Sequence, residues 1–256
     1  MRAIMPPKAG WITNLEYTPA RFLHLWRTAP PDLPYGPRVE RLCEELAGRP
    51  YRADPLGGGP DRTEALTVSL TAFDCVTFIE EVTAFCRAGS EAEFLKLLRL
   101  LRYEDGRVEY LRRRHYLADW LAGNAAGGRL RLLDPPSVPP PRRWERTLEV
   151  LPALGRRPAE IRGWPKQSWP RLRPAVRTGD LIGFVSTRRN LDYFHTGVLI
   201  VRSSHVLLAH ASRSRDGVVL IPLAEFLRAE RMSGLTVVRP WPETVEPEIL
   251  PEVAMP

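Results

Sequence analysis

Thr71-Ala72-Phe73-Asp74-Cys75-Val76-Thr77-Phe78-Ile79-Glu80 is the stretch that decides how the rest of the chain is read. Val76, Ile79, Val82, Ala84 and Phe85 recur at helical spacing, so a helix with an apolar face starts here. Asp74 is its N-cap, because a carboxylate at that position accepts hydrogen bonds from the unpaired N–H groups of the first turn. Cys75 then occupies the first helical position, where exposed N–H groups and the helix dipole favour a thiolate. The helix runs to about Arg87 and ends at Gly89.

Working outward, Leu66 to Leu70 reads as a short strand leading into this helix. Upstream, Thr18 and Pro19 open a helix over 18–28. Gly36-Pro37 opens another, with Val39, Leu42, Cys43 and Leu46 on one face. Tyr51 to Asp61 is a Gly/Pro-rich loop. Downstream, Ser90 caps an amphipathic helix carrying Phe94, Leu95, Leu98 and Leu101.

The period changes in the last third. Asp180–Val185, His195–Val201, His205–Ala211 and Val218–Ile221 are short β-branched runs, with turns expected at Arg202-Ser203-Ser204 and Asp216-Gly217. A short helix over Pro222–Ala229 and a strand at Leu235–Val238 follow. Helices first and an antiparallel sheet second make this an α+β fold. Between them, 127–178 is rich in Pro and Arg and shows no regular period; it is expected to be a structureless insertion draped over the core and lining a cleft. The chain is expected to form a single domain over 1–256, with a loose tail after Pro240.

The chain has 256 residues, 44% hydrophobic and 26% charged, the composition of a globular protein with an ample core. Its three cysteines cannot all pair and lack zinc-site spacing, so neither a disulfide scaffold nor a metal or other cofactor is expected. The formal charge is +7, carried almost wholly by arginine spread along the chain. No dense basic run is interleaved with aromatics, so nucleic acid is not an expected partner. No stretch approaches ~20 apolar residues, which excludes a helical membrane span. Met1 to Lys8 has no signal-peptide core, so the sequence as written predicts a cytoplasmic protein; a secreted or periplasmic protein shorn of its leader would read the same.

A cysteine nucleophile needs a base and a group that orients the base. Cys75 alone among the cysteines has a polar, helix-start setting; Cys43 and Cys86 sit on apolar faces and read as inert core residues. The adjacent Asp74 opposes ionisation of Cys75 by charge. His195 begins a strand beside Gly197, and His210 lies on the following strand at a separation that puts the two side by side across a hairpin. A strand histidine taken alone is more often structural; two on neighbouring strands suggest a base and its orienter. His115 reads equally as a core hydrogen-bonder or a substrate contact.

Asp74-Cys75-Val76-Thr77-Phe78-Ile79-Glu80, Arg114-His115-Tyr116 with Asp119-Trp120 and Asn124, Gly179-Asp180, Leu191-Asp192-Tyr193-Phe194-His195-Thr196-Gly197 and His210-Ala211-Ser212 occur in order. Together they resemble the N-acetylmuramoyl-L-alanine amidase-like branch of the NlpC-type papain-fold hydrolases, over about 37 to 240. The resemblance implies a papain-like fold, a Cys75–His195–His210 triad, and hydrolysis of the amide between (anhydro)muramic acid and L-alanine in peptidoglycan fragments. It also implies Asp74, Thr77, Arg114, His115 and Asp192 as substrate contacts. The related endopeptidases read Asp-Cys-Ser-Gly at the nucleophile and grip a free L-Ala amine there. Val76-Thr77 in place of Ser-Gly favours the amidase and makes Asp74 a cap more than a clamp. The alternatives are a γ-D-glutamyl endopeptidase of the same fold and a non-catalytic module binding glycan or nucleic acid.

Overall fold

The computed structural model describes residues 12–203 and 205–241. The expectations for Met1–Lys8, for Ser204 and for the tail beyond Trp241 lie outside the described residues. In chain order the elements are β1 (Ile12–Leu15), α1 (Pro19–Thr28), α2 (Tyr35–Leu46), β2 (Ala65–Val68), α3 (Cys75–Arg87), α4 (Glu91–Arg102), α5 (Leu117–Ala126), β3 (Leu130–Leu132), β4 (Arg142–Leu148), β5 (Arg157–Gly163), α6 (Trp169–Leu172), β6 (Leu181–Val185), β7 (Tyr193–Arg202), β8 (His205–Ser212), β9 (Gly217–Pro222), α7 (Leu223–Ala229) and β10 (Gly234–Pro240). The fold is α+β: helices fill the N-terminal half, and six strands form an antiparallel sheet in the order β3-β10-β6-β7-β8-β9.

Helix α3 is the hub. Every residue from Thr77 to Cys86 is buried, since α2 and α4 pack on one side and β7 and β8 on the other. Its start is fixed by a capping box: Asp74 Oδ1 accepts from Val76 N at 3.0 Å and Thr77 N at 2.7 Å, while Asp74 N donates to Thr77 Oγ1 at 3.0 Å. Such burial leaves two acids of α3 inside the protein, and both are paired. Glu80 accepts from Arg102 Nε at 2.7 Å and Trp120 Nε1 at 2.9 Å. Glu81 accepts from Ser69 N at 3.2 Å and Leu70 N at 2.9 Å, clamping the chain where Leu70 adopts a left-handed φ of 54°. That bend ends β2 at Val68, short of the expected Leu70, and turns the backbone toward Cys75.

The sheet separates two apolar layers, as alternation along its strands requires. Val198, Ile200 and Ala209 face the helices with Phe78 and Phe85; Leu199, Leu208 and Phe184 face the other way, with Phe226 of α7.

The stretch 127–178 corrects the expectation of a structureless insertion. β3 pairs with β10 at the edge of the main sheet, and β4 and β5 form an antiparallel hairpin over seven residue pairs. Its alternation was hidden because arginine and glutamate occupy half of its positions. Two aromatic or branched residues, Trp144 and the fully buried Ile161, face each other across the hairpin and pack on the core. Trp164 is also buried, and its indole N–H donates to Pro139 O at 2.8 Å.

Candidate active site

The site forms where the N-terminus of α3 meets the start of β7. Cys75 and His195 line one cavity of about 230 Å³, walled by Tyr116, Leu117, Leu151, Leu191 and Phe194. A second lobe of about 370 Å³ shares Val76, His115 and Leu151 with the first, and is lined further by Gly57, Gly58, Asp74, Tyr110 and Arg113. One lobe is walled mainly by hydrocarbon, the other by polar groups.

The two imidazoles meet as expected: His195 Nε2 lies 2.5 Å from His210 Nδ1. Val198 pairs with Ala209, so Gly197 falls opposite His210, with His195 two residues along on the same face. Gly197 is needed for this approach. A Cβ there would stand 2.8 Å from Ala209 O and 3.0 Å from His210 Cβ. Phe226 covers both rings, nearly parallel to His195 at 5.6 Å and edge-on to His210 at 5.5 Å. Enclosure of this kind disfavours a charged ring. Burial lowers His195 to about 4, and burial together with the neighbouring His195 and Arg215 lowers His210 to about 3. His210 Nε2 is buried with no hydrogen-bond partner among the described residues.

The thiol departs from expectation. Burial first, then the Asp74 carboxylate, push Cys75 up to about 12, although the Thr196 N–H and the N–H groups of its own turn work the other way. The dipole does not prevail, and the resting state is a neutral thiol beside a neutral imidazole. No hydrogen bond joins the sulfur to either ring among the described residues; Cys75 and His195 both line the first cavity, while the two imidazoles pack on Phe226 in the layer beyond the sheet. Catalytic hydrogen bonds often tighten only once substrate is bound. The Cys75 N–H takes no partner among the described residues, because the cap engages only Val76 and Thr77. Cys43 and Cys86 are buried in the core.

The residues expected to touch substrate divide. Thr77 is buried, its hydroxyl held by Asp74. Arg114 Nη1 donates to the carbonyls of Leu100, Leu101 and Tyr103, tying off the end of α4. Asp192 is buried and accepts from Ala118 N at 2.7 Å, capping the first turn of α5 from a distance. These three spend their hydrogen bonds on the scaffold. All three nonetheless line the cavities, Thr77 and Arg114 the polar lobe and Asp192 the first, and Asp74 and His115 line the polar lobe as well. Asp74 receives all three cap bonds on Oδ1, leaving Oδ2 as an acceptor at the cavity wall. Sequence reasoning missed the tip of the β4–β5 hairpin, which brings Val150 and Leu151 over Cys75. It is held there by Leu151 N donating to Tyr116 Oη at 3.0 Å. The available signal was an apolar Val150-Leu151 pair between charged strands. Among the described residues no three His, Cys, Asp or Glu side chains gather as a metal site, and no helix is long and apolar enough to cross a membrane.

A family model described as AmiA-like, N-acetylmuramoyl-L-alanine amidase-like, matches residues 41–235. The chain belongs to this family. The AmiA-like match spans both halves of the site, from the helix before Cys75 to the strand after His210. Crystal structures of an N-acetylmuramoyl-L-alanine amidase from Bacteroides uniformis resemble this AmiA-like chain with a TM-score of 0.67 and 24% identity, over 80% of this chain and 98% of that one. A Legionella pneumophila protein matches with a TM-score of 0.74 and 17% identity, over 87% of this chain and 94% of that one. At such identities the likeness is one of fold. No curated protein matches the sequence.

Proposed function

We propose that the protein is a papain-like cysteine amidase that hydrolyses the amide between (anhydro)N-acetylmuramic acid and L-alanine in peptidoglycan fragments. The observation that carries this reading is the 2.5 Å His195–His210 contact beside a cavity that also holds Cys75 at a helix N-terminus. Family membership supports the reaction class.

In this mechanism His195 Nε2–H donates to His210 Nδ1, which leaves His195 Nδ1 as a bare base. With thiol and ring both neutral at rest, the base takes the Cys75 proton as the sulfur attacks the lactyl carbonyl carbon. The oxyanion that develops accepts from the Cys75 N–H. His195 then gives the proton to the departing L-Ala nitrogen as the C–N bond breaks. Water, deprotonated by His195, hydrolyses the thioester and regenerates the thiol. His210 keeps the base in its working tautomer, the part an Asp or Asn plays in other triads.

The bare Oδ2 of Asp74 is the observation that favours a second reading, because a free L-Ala amine could dock there as in γ-D-glutamyl endopeptidases. Digestion of defined muropeptides followed by mass spectrometry separates the two. Intact stem peptide released from the sugar supports the amidase; L-Ala left on sugar, or a peptide cut after D-Glu, contradicts it.

A further inference from the structure

His115 stands at the junction of the two lobes and lines both. Its ring is held on one side by Tyr110, at 4.5 Å between ring centroids, and at one nitrogen by Tyr110 O, 2.7 Å from Nε2. A carbonyl oxygen only accepts, so the proton of this ring is on Nε2. Burial pushes the ring toward its neutral form against the pull of the Tyr110 carbonyl, with the charges of Arg113 and Arg157 helping and Asp54 opposing. Nδ1 is therefore a lone pair, and it has no partner among the described residues. Asp74 Oδ2 is a second unengaged acceptor in the same lobe. Beside the arginines that also line the lobe, these two acceptors call for N–H or O–H donors on whatever enters it.

Substrate polarity decides which end that is. The first lobe, walled by Tyr116, Leu117, Leu151 and Phe194, suits the faces of a sugar ring and its acyl methyl groups. The polar lobe, with Asp74, Arg113 and the backbone of Gly57 and Gly58, suits an extended peptide bearing amides and carboxylates. We propose that His115 is a specificity-determining residue of this reaction, its Nδ1 accepting a hydrogen bond from a peptide N–H of the leaving group as that group runs from the scissile carbonyl into the polar lobe. This rests on the amidase reading above. The substrate class it selects is a secondary amide chain with an intact N–H one residue beyond the cut.

The test compares a disaccharide-peptide with its depsipeptide analogue, in which the first amide beyond the scissile bond is an ester. Wild type, His115→Phe and His115→Asn are assayed on both, with thermal unfolding as a control for folding. Phe keeps the ring and removes the acceptor; Asn restores an acceptor oxygen near the Nδ1 position. Wild type should lose about tenfold in kcat/KM on the ester, the scale of one neutral hydrogen bond. His115→Phe should lose about tenfold on the natural amide and nothing further on the ester, and His115→Asn should recover most of the loss. Losses that multiply instead of saturating, or a variant that slows both substrates equally, would overturn the proposal. So would a failure of Asn to rescue while its fold is intact. A wild type that releases no stem peptide from the natural substrate refutes the amidase reading itself, and this inference falls with it.

Discussion

Two hairpins meet at the candidate site, and they are built on opposite terms. The β7–β8 hairpin lies inside the sheet, buried on both faces, and its histidines are in contact because strand register and Gly197 leave them nowhere else to go. The β4–β5 hairpin lies outside, largely exposed along its strands, and reaches the site only through Val150 and Leu151 at its tip. Position within a packed sheet is set by many contacts at once; the tip depends on a few, among them the Leu151–Tyr116 hydrogen bond. The first kind of region suits chemistry, which tolerates little displacement, and the second suits shaping a cavity.

The comparison breaks most visibly at the imidazoles. His195→Ala should lower kcat on muropeptides by three or more decades, by analogy with serine triads. His210→Ala should do the same through loss of the base's tautomer. Steady-state kinetics check both, and a loss below tenfold in either would unseat the pairing. Gly197→Ala comes next. Its methyl would press on Ala209 O and His210 Cβ, so activity should fall by one to two decades, with a stability loss of about 1–3 kcal/mol in denaturant unfolding.

The hairpin tip should give a smaller and different effect. Leu151→Asp should raise KM about tenfold and leave the unfolding midpoint nearly unchanged, since the side chain is half-buried at a cavity wall and not in the core. An equal loss of stability would make the tip part of the scaffold after all.

Acid provides a graded test of the same contrast. His195 at about 4 and His210 at about 3 bind protons less readily folded than unfolded, where imidazole titrates near 6.5. The unfolded chain therefore binds more protons between these values, and stability should fall as pH drops from about 6.5 toward 4. His210→Gln should flatten that fall in urea titrations across the window. The acid limb of kcat/KM should likewise lie near pH 4, because below it His195 is protonated and cannot take the thiol's proton. A limb near 6.5 would mean an imidazole open to water.

Much of this was legible in the residues. The Asp74 cap, the apolar face of α3, the β-branched runs of the sheet and the adjacency of His195 and His210 all follow from local periodicity and hairpin register. Three things were not. The Cys75 thiol looked dipole-activated because sequence shows its neighbours in the chain but not the protein packed around it; burial outweighs the dipole. Arg114 and Asp192 line the cavities, and what the sequence did not show is that both also reach across space to cap α4 and α5, partnerships between residues distant in sequence. The β4–β5 hairpin was hidden because long arginines cover its apolar positions, so the period of two does not stand out.

Which atom carries the acyl group, and which half of the substrate that group is, decides the chemistry of this site. Acid-quenched turnover followed by intact-mass and peptide-mapping spectrometry reads both. The mass of the muramoyl-lactyl sugar moiety on Cys75, absent from Cys75→Ala, is the predicted result. A peptide adduct on Cys75 would make the protein an endopeptidase, and turnover by Cys75→Ala with no adduct anywhere would contradict the nucleophile itself.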